Sequence, residues 1–294
     1  MRKSALIAAG AAAALVLTAC GGTGDDEAGN GDDVTVEESG DEGSASGDGI
    51  TIGIKYDQPG LGLQEADGSF SGFDIDVAYY VAEALGYSAD DVTFTEAITP
   101  QRETIIENGQ ADLVIATYSI TEARNEQVDF AGPYFIAGQD ILVRIDDDSM
   151  SGPNDLDGKT LCSVAGSTSA NRILEDYSTG VELFEAQTYS ECAEFLVGGT
   201  VDALTTDDII LAGYANQDAF AGQLKLVGET FSEEVFGIGI PKGSDLCDPI
   251  NDAVRSMFDD GSWEQFLADN AGEDYEYDTA VNPPLDLVGN YCGG

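Results

Sequence analysis

Between residues 50 and 270 the chain alternates short apolar runs with longer stretches in which apolar residues recur every three or four positions. Ile50-Thr-Ile-Gly-Ile54-Lys55-Tyr56 reads as a strand, and Asp57-Gln-Pro59-Gly60 breaks it. From Asp74 to Leu85 the residues Val77, Val81, Ala84 and Leu85 share one face, which predicts an amphipathic helix capped by Asp74 and ended by Gly86. A strand over 92–95, the Thr99-Pro100 turn and a helix over 101–108 lead into Asp112-Leu-Val-Ile-Ala-Thr117-Tyr118-Ser119-Ile-Thr121-Glu-Ala-Arg124. That apolar run has the length of a buried strand and empties into hydroxyls and an arginine. A donor-rich pocket is therefore expected at the strand's carboxyl end, where open α/β sheets hold ligands. The alternation then repeats, with strands expected at 140–145, 161–164, 181–186, 201–204, 224–227 and 235–240. Helices are expected after Ser169, at 189–197, 245–258 and 262–270, and an acidic strap over 272–294. Strands and helices interleaved in this way predict an α/β fold.

The first 49 residues follow no such pattern. Met1-Arg2-Lys3 and the apolar run from Ala5 to Leu17 form a basic and an apolar region too short to rest across a bilayer, as in a secretory signal over residues 1–19. Leu17-Thr-Ala-Cys20 resembles the lipobox of bacterial lipoproteins, whose cysteine takes a diacylglyceryl group. That resemblance implies lipid attachment at Cys20, with membrane contact through the anchor alone; an unmodified cysteine is the alternative. Residues 20–49 are Gly, Ser, Asp and Glu with little to bury, which predicts a flexible tether.

Composition narrows the function. The 294 residues, 43% of them hydrophobic, suffice for one large or two modest domains. With 56 acidic and 11 basic residues the net charge is -45, which argues against nucleic acid as a partner and against adhesion to anionic lipid by charge. The sequence has no histidine, so His-based triads, His-ligated metals and the commonest general base are excluded, and no metal or cofactor is expected. Beyond Cys20 there are four cysteines, an even number in an exported chain, so disulfides are expected; a zinc site is disfavoured by the lack of Cys-x-x-Cys spacing.

Two motifs point further. Gly72-Phe73-Asp74-Ile75-Asp76-Val77 before a helix, and Thr117-Tyr-Ser119-Ile-Thr121-Glu-x-Arg124 followed by Val128-Asp-Phe-x-x-Pro133-Tyr134, resemble the family-3 extracellular solute-binding proteins, receptors of polar amino-acid importers of the ABC class. The likeness runs from Ile50 to about Ala271. It implies a two-lobe, periplasmic-binding-protein-like α/β fold of type II, with the ligand in the cleft between lobes joined by a two-strand hinge. Lobe I would comprise 50–137 and 234–294, and lobe II 138–233. It also implies a monomer on the extracellular face of the cell membrane that binds an amino acid by closing, docks on a membrane permease and is not an enzyme.

By the same resemblance Arg124 takes the ligand's α-carboxylate in a planar fork. Thr117 and Ser119 assist, Thr168 with Ser167 and Ser169 holds the far side, and Asp207, after Thr206, takes the α-ammonium. The alternatives are an exposed Arg124 paired with Glu126 or Asp129, an Asp207 that is ordinary surface, and hydroxyls at 167–169 that merely cap a helix. Members often stack an aromatic where this chain has Thr99, so Tyr118 or Tyr56 is the expected substitute. Lys55 stands where glutamine-type members carry an acid, and Arg102 follows the Thr99-Pro100 turn. Cations this scarce and placed around one pocket select a ligand with two carboxylates, glutamate or possibly aspartate, because unpaired buried charge is costly. Glutamine or another polar amino acid is the runner-up. A cyclohexadienyl dehydratase-like enzyme and a ligand-sensing module on the same fold are more distant alternatives. The implied lobes put Cys162 and Cys192 together in lobe II and Cys247 and Cys292 together in the C-terminal part, which favours the pairs 162–192 and 247–292 among the three possible.

Overall fold

The computed structural model of the protein describes residues 49–272 and 275–293. The expected signal peptide, Cys20 and nearly all of the expected tether lie outside the described residues. No helix among those described is long and apolar enough to cross a membrane.

The chain opens with β1 (Ile50–Ile54), then a small ribbon of β2 (Asp57–Gln58), β3 (Gly62–Gln64) and β4 (Phe70–Ser71). It continues through α1 (Phe73–Ala84), β5 (Val92–Glu96), α2 (Arg102–Glu107), β6 (Leu113–Val114), α3 (Glu122–Asn125) and β7 (Asp129–Ala137). Next come β8 (Gln139–Arg144), β9 (Thr160–Val164), α4 (Thr168–Arg172), β10 (Glu182–Ala186), α5 (Tyr189–Val197), β11 (Ala203–Asp207), α6 (Asp208–Asn216) and β12 (Leu224–Leu226). The strand β13 (Glu234–Ile240) and helices α7 (Cys247–Asp259) and α8 (Ser262–Asn270) close the series.

Two five-stranded mixed sheets result, ordered β5-β1-β6-β13-β7 and β10-β9-β11-β8-β12. In each, the consecutive βα units give parallel pairs (β1 with β5 and β6; β9 with β10 and β11), and the strands that arrive from the other sheet run antiparallel. The chain crosses between sheets twice, at Gly138 and over 227–233. The crossings touch: Phe231 N donates to Gln139 O at 3.0 Å, and a Cβ on Gly138 would lie 2.5 Å from the Thr230 Cβ. Only glycine allows that approach.

Several local readings are corrected. The α1 cap is Gly72 and not Asp74: at φ 124, with Leu61 O 2.1 Å from an ideal Cβ, position 72 suits glycine alone. Asp74 is instead buried in the first turn. The segment after β1 is not a plain break, since Asp57-Gln58 pairs with Gly62–Gln64 in the ribbon. Trp263 packs edge-on to Phe73, its Nε1 donating to Tyr134 O at 2.7 Å, which seats α8 on the first sheet. Disulfides join Cys162 of β9 to Cys192 of α5, and Cys247 of α7 to Cys292 of the C-terminal segment. That segment lies along β7, where Asn282 both accepts from Ile136 N at 2.9 Å and donates to Ile136 O at 2.8 Å.

Candidate functional site

The carboxyl ends of the two sheets face one small polar cavity. From the first sheet and its helices come Thr99, Arg102, Thr117, Ser119 and Arg124; from the second come Ser167, Thr168, Ser169, Tyr189, Thr206, Asp207 and Ile210.

Thr117 follows β6 with a left-handed φ of 44, a conformation costly for a β-branched residue. The fold holds it there. Its N–H donates to Asp74 Oδ2 at 2.9 Å, and its hydroxyl lies 2.8 Å from Ala116 O and 3.1 Å from Gln58 Oε1. Asp74 also accepts from the Tyr134 hydroxyl at 2.8 Å, and burial pushes its carboxyl up to about 6 against the pull of those two bonds.

Arg124 sits on α3, whose N-cap Thr121 accepts from the Arg124 N–H at 3.2 Å. It is buried and pairs with neither Glu126 nor Asp129: its Nε lies 3.5 Å from Glu103 Oε1, while Asp129 pairs with Lys242 at 2.9 Å. One terminal nitrogen donates to Ser119 O at 2.7 Å, the other to Gly166 O of the opposite sheet's loop at 3.1 Å. Arg102, also buried, donates to Ala116 O at 3.0 Å, and among the described residues its Nε has no partner. Burial first, then the Arg124 charge, lowers it to about 10.

Tyr118 and Lys55 do not line the cavity. Tyr118 is fully buried and is corrected from ligand contact to support: the Arg102 and Arg124 guanidinium carbons lie 4.1 and 5.3 Å from its ring centroid, so its face steadies both cations. Lys55 lies behind Thr99, donating from Nζ to Thr99 Oγ1 at 2.7 Å. Burial, followed by the Arg102 charge, brings its ammonium down to about 7.

On the other side Ser167 caps α4, accepting from Ala170 N at 3.3 Å, and Thr168 donates to Glu234 Oε2 at 3.2 Å. Glu234, on β13, also takes Arg172 at 2.5 Å, so α4 is tied to the strand that returns to the first sheet. Asp207 ends β11 wholly buried, and among the described residues its Oδ1 has no partner. Its carboxyl is raised well above the usual range by burial and by the charges of Glu234 and Asp208, with Arg124 and Arg102 opposing. A cation delivered there would let it ionise. Asp208 points away, accepting from Gly138 N at 3.2 Å and Ile209 N at 2.8 Å.

The sequence reading missed Tyr189 and Ile210 as lining residues. Tyr189, not Tyr56 or Tyr118, is the aromatic at the cavity, its hydroxyl pushed up to about 12 mainly by burial. The Thr188–Glu191 capping box marks the start of α5, so a residue at a sheet's carboxyl edge was legible there, although its direction was not. Ile210 has only the ordinary pattern of a helix interior.

Comparison with known proteins agrees with this architecture. The family model described as bacterial extracellular solute-binding proteins, family 3, matches residues 50–273. The glutamate-binding protein GluB of Corynebacterium efficiens is 45% identical over 93% of this chain and 92% of its own length. The ABC transporter glutamine-binding protein GlnH of Bacillus subtilis is 34% identical over 86% of this chain and 91% of its own length. A solved ancestral arginine-binding protein bound to glutamine superposes with a TM-score of 0.71 at 35% identity, covering 78% of this chain and all of that one. All three are named as amino-acid-binding proteins. With two sheets joined by two crossings around a polar cavity, and a family match over the whole of that unit, the chain belongs to the bacterial extracellular solute-binding proteins of family 3.

Proposed function

We propose that the protein is the receptor of an ABC amino-acid importer, that its ligand is L-glutamate, possibly also L-aspartate, and that it hands this ligand to a membrane permease. The observation that carries the reading is the charge of the cavity: Arg124 and Arg102 line it, Lys55 stands behind Thr99, and Asp207 faces them, the Arg102 Nε and the Asp207 Oδ1 having no partner among the described residues. A zwitterion with a second carboxylate complements that set, whereas a neutral side chain would leave buried cations unpaired. Arg124 would fork onto the α-carboxylate with Thr117, Ser119, Ser167 and Thr168 supplying further donors, and Asp207 with Thr206 would take the α-ammonium. Arg102 would meet the distal carboxylate, with Lys55 adding its charge from behind Thr99. Lobe I, residues 50–137 and 234–294, binds first, and lobe II, residues 138–233, closes on it. The glutamate named for the Corynebacterium relative supports this choice. Micromolar binding needs about 8 kcal/mol, attainable for so small a ligand only with nearly every polar atom paired.

Glutamine is the second reading. It is favoured by the Bacillus relative and by a Lys55 whose pKa of about 7 lets it be neutral against a carboxamide. The Cys20 lipid would hold the monomer at the extracellular face, with residues 21–49 as its tether. Calorimetric titration with L-glutamate, L-aspartate, L-glutamine and L-arginine tests the reading: glutamate is expected to bind tightest. Tighter binding of glutamine or arginine would overturn the roles of Arg102 and Lys55.

A further inference from the structure

A second set of contacts joins the lobes without lining the cavity. Asp57 on β2 belongs to the first lobe, because its ribbon is bonded to α1 through Phe73 N to Gly60 O and Asp74 N to Leu61 O, each 3.0 Å. The Asp57 carbonyl accepts from the Tyr214 hydroxyl at 2.5 Å and lies 3.2 Å from Ser190 Oγ. Its carboxylate lies 3.3 Å from Ser190 Oγ and 3.4 Å from Ser190 N. Ser190 is on α5 and Tyr214 on α6, both packed on the second sheet. Beside them Gly213 meets Pro59, and a Cβ at position 213 would stand 2.2 Å from the Pro59 carbonyl oxygen. The closed interface has no room for a methyl group there.

We propose that Asp57, Ser190, Tyr214 and Gly213 form a closure latch, formed only when the lobes meet, that sets the fraction of closed molecules and so the apparent affinity and the release rate. Tyr214 is wholly buried, and burial raises its hydroxyl well above the ordinary range, so it remains a donor. The latch is rigidly linked to the site, since Ser190 follows cavity-lining Tyr189 and Tyr214 stands one helical turn after cavity-lining Ile210. Closing the latch seats both. When only the closed form binds tightly, the apparent dissociation constant is the intrinsic one divided by the closed fraction. The latch residues are thus positioning residues that touch no ligand.

The inference rests on the proposed closing of the two lobes, and on the glutamate reading only for its probe. Binding of L-glutamate to the full chain and to the variants Tyr214→Phe and Gly213→Ala would be measured by calorimetry and stopped flow. X-ray scattering would follow the same proteins without ligand. Tyr214→Phe is expected to weaken binding roughly threefold to tenfold, the worth of one hydrogen bond, through faster dissociation. Gly213→Ala should weaken it more. Alanine is favoured over glycine inside a helix, so the ligand-free thermal midpoint of this variant should not fall, which separates blocked closure from misfolding. Wild-type affinity in both variants overturns the latch. If the wild type itself ignores glutamate, the ligand reading fails, and scattering still decides: the variants must show a larger radius of gyration than the wild type, and equal radii overturn the latch.

Discussion

Lys55 shows how much one side chain's surroundings matter. Its Nζ is 2.7 Å from Thr99 Oγ1, and burial brings it down to about 7, so at pH 7.5 to 8 most ligand-free molecules hold it neutral. For a base with a lowered folded pKa the unfolded chain holds the extra proton between about 7 and 10.5. Lys55 therefore costs stability below pH 7, and that cost disappears as the pH rises through this window. A carboxylate brought beside it reverses the shift and draws in a proton. Calorimetry at pH 7.5 to 8 in two buffers of different ionisation enthalpy should show wild type taking up more protons per L-glutamate than Lys55→Met. The comparison cancels any proton released at Asp207, and equal counts would remove Lys55 from the site. The residue type and its place after a strand were legible in the sequence; that it stands behind Thr99 and not at the cavity wall was not, because Thr99 is 44 positions away.

At the scale of elements, local pattern served wherever a single segment carries its own reason. Helix α1 is such a case, with Val77 and Val81 buried as its pattern asks, although Ala84 of the expected face is exposed and Leu85 half-buried. The β2–β4 ribbon was missed because its strands are two or three residues long, too short for any period. Asp74 looked like a cap because that is what an acid before an apolar-periodic stretch usually does; its partners, Thr117 and Tyr134, are 43 and 60 residues distant. The disulfides tie α5 to β9 and the C-terminal segment to α7, across separations of 30 and 45 residues. Replacing Cys247 and Cys292 by serine should lower the unfolding free energy by about 2–4 kcal/mol in denaturant titrations. Neither cysteine lines the cavity, so L-glutamate affinity should stay within about twofold. A larger loss would mean that the C-terminal segment shapes the site.

For the whole molecule the surplus of acid dominates, with 56 acidic residues against 11 basic. Burial raises Asp74 and Asp208 to about 6 each. An acid with a raised folded pKa contributes stability that is fully present below its ordinary value and is lost as the pH rises through the folded one. Each is worth on the order of 3 kcal/mol. Asp91, Asp129, Asp147 and Asp155 are shifted down, Asp91 and Asp147 mainly by bonds from neighbouring serines. They lose their contribution only as the pH falls from 3.8 through still lower values. Relief of self-repulsion acts in the same direction as Asp74 and Asp208. The ligand-free thermal midpoint should accordingly be higher at pH 5 than at pH 7, and drop again below about pH 3.5. Added salt should narrow the difference between pH 5 and 7 by screening the surface charge. A midpoint falling steadily from pH 7 to pH 5 would contradict the buried-acid account.

By itself the sequence determined the α/β class, the family motifs and which residue types were available for a polar, doubly charged site, because each rests on chemistry confined to a few consecutive residues. It also brought forward Arg124, Thr117, Ser119, Thr168 and Asp207, which the structure gathers around one cavity. Only the tertiary structure decided how the halves meet: Arg124 reaching Gly166, Asp74 holding the left-handed Thr117, Tyr118 lying beneath two guanidiniums, and Asp57 bonded to Tyr214. Those pairs lie 42, 43, as few as 6 and 157 positions apart. The physical reason is that hydrogen bonds and cation–ring contacts depend on position to within an ångström. The path of the chain through two sheets and two crossings, which no local pattern records, sets those positions.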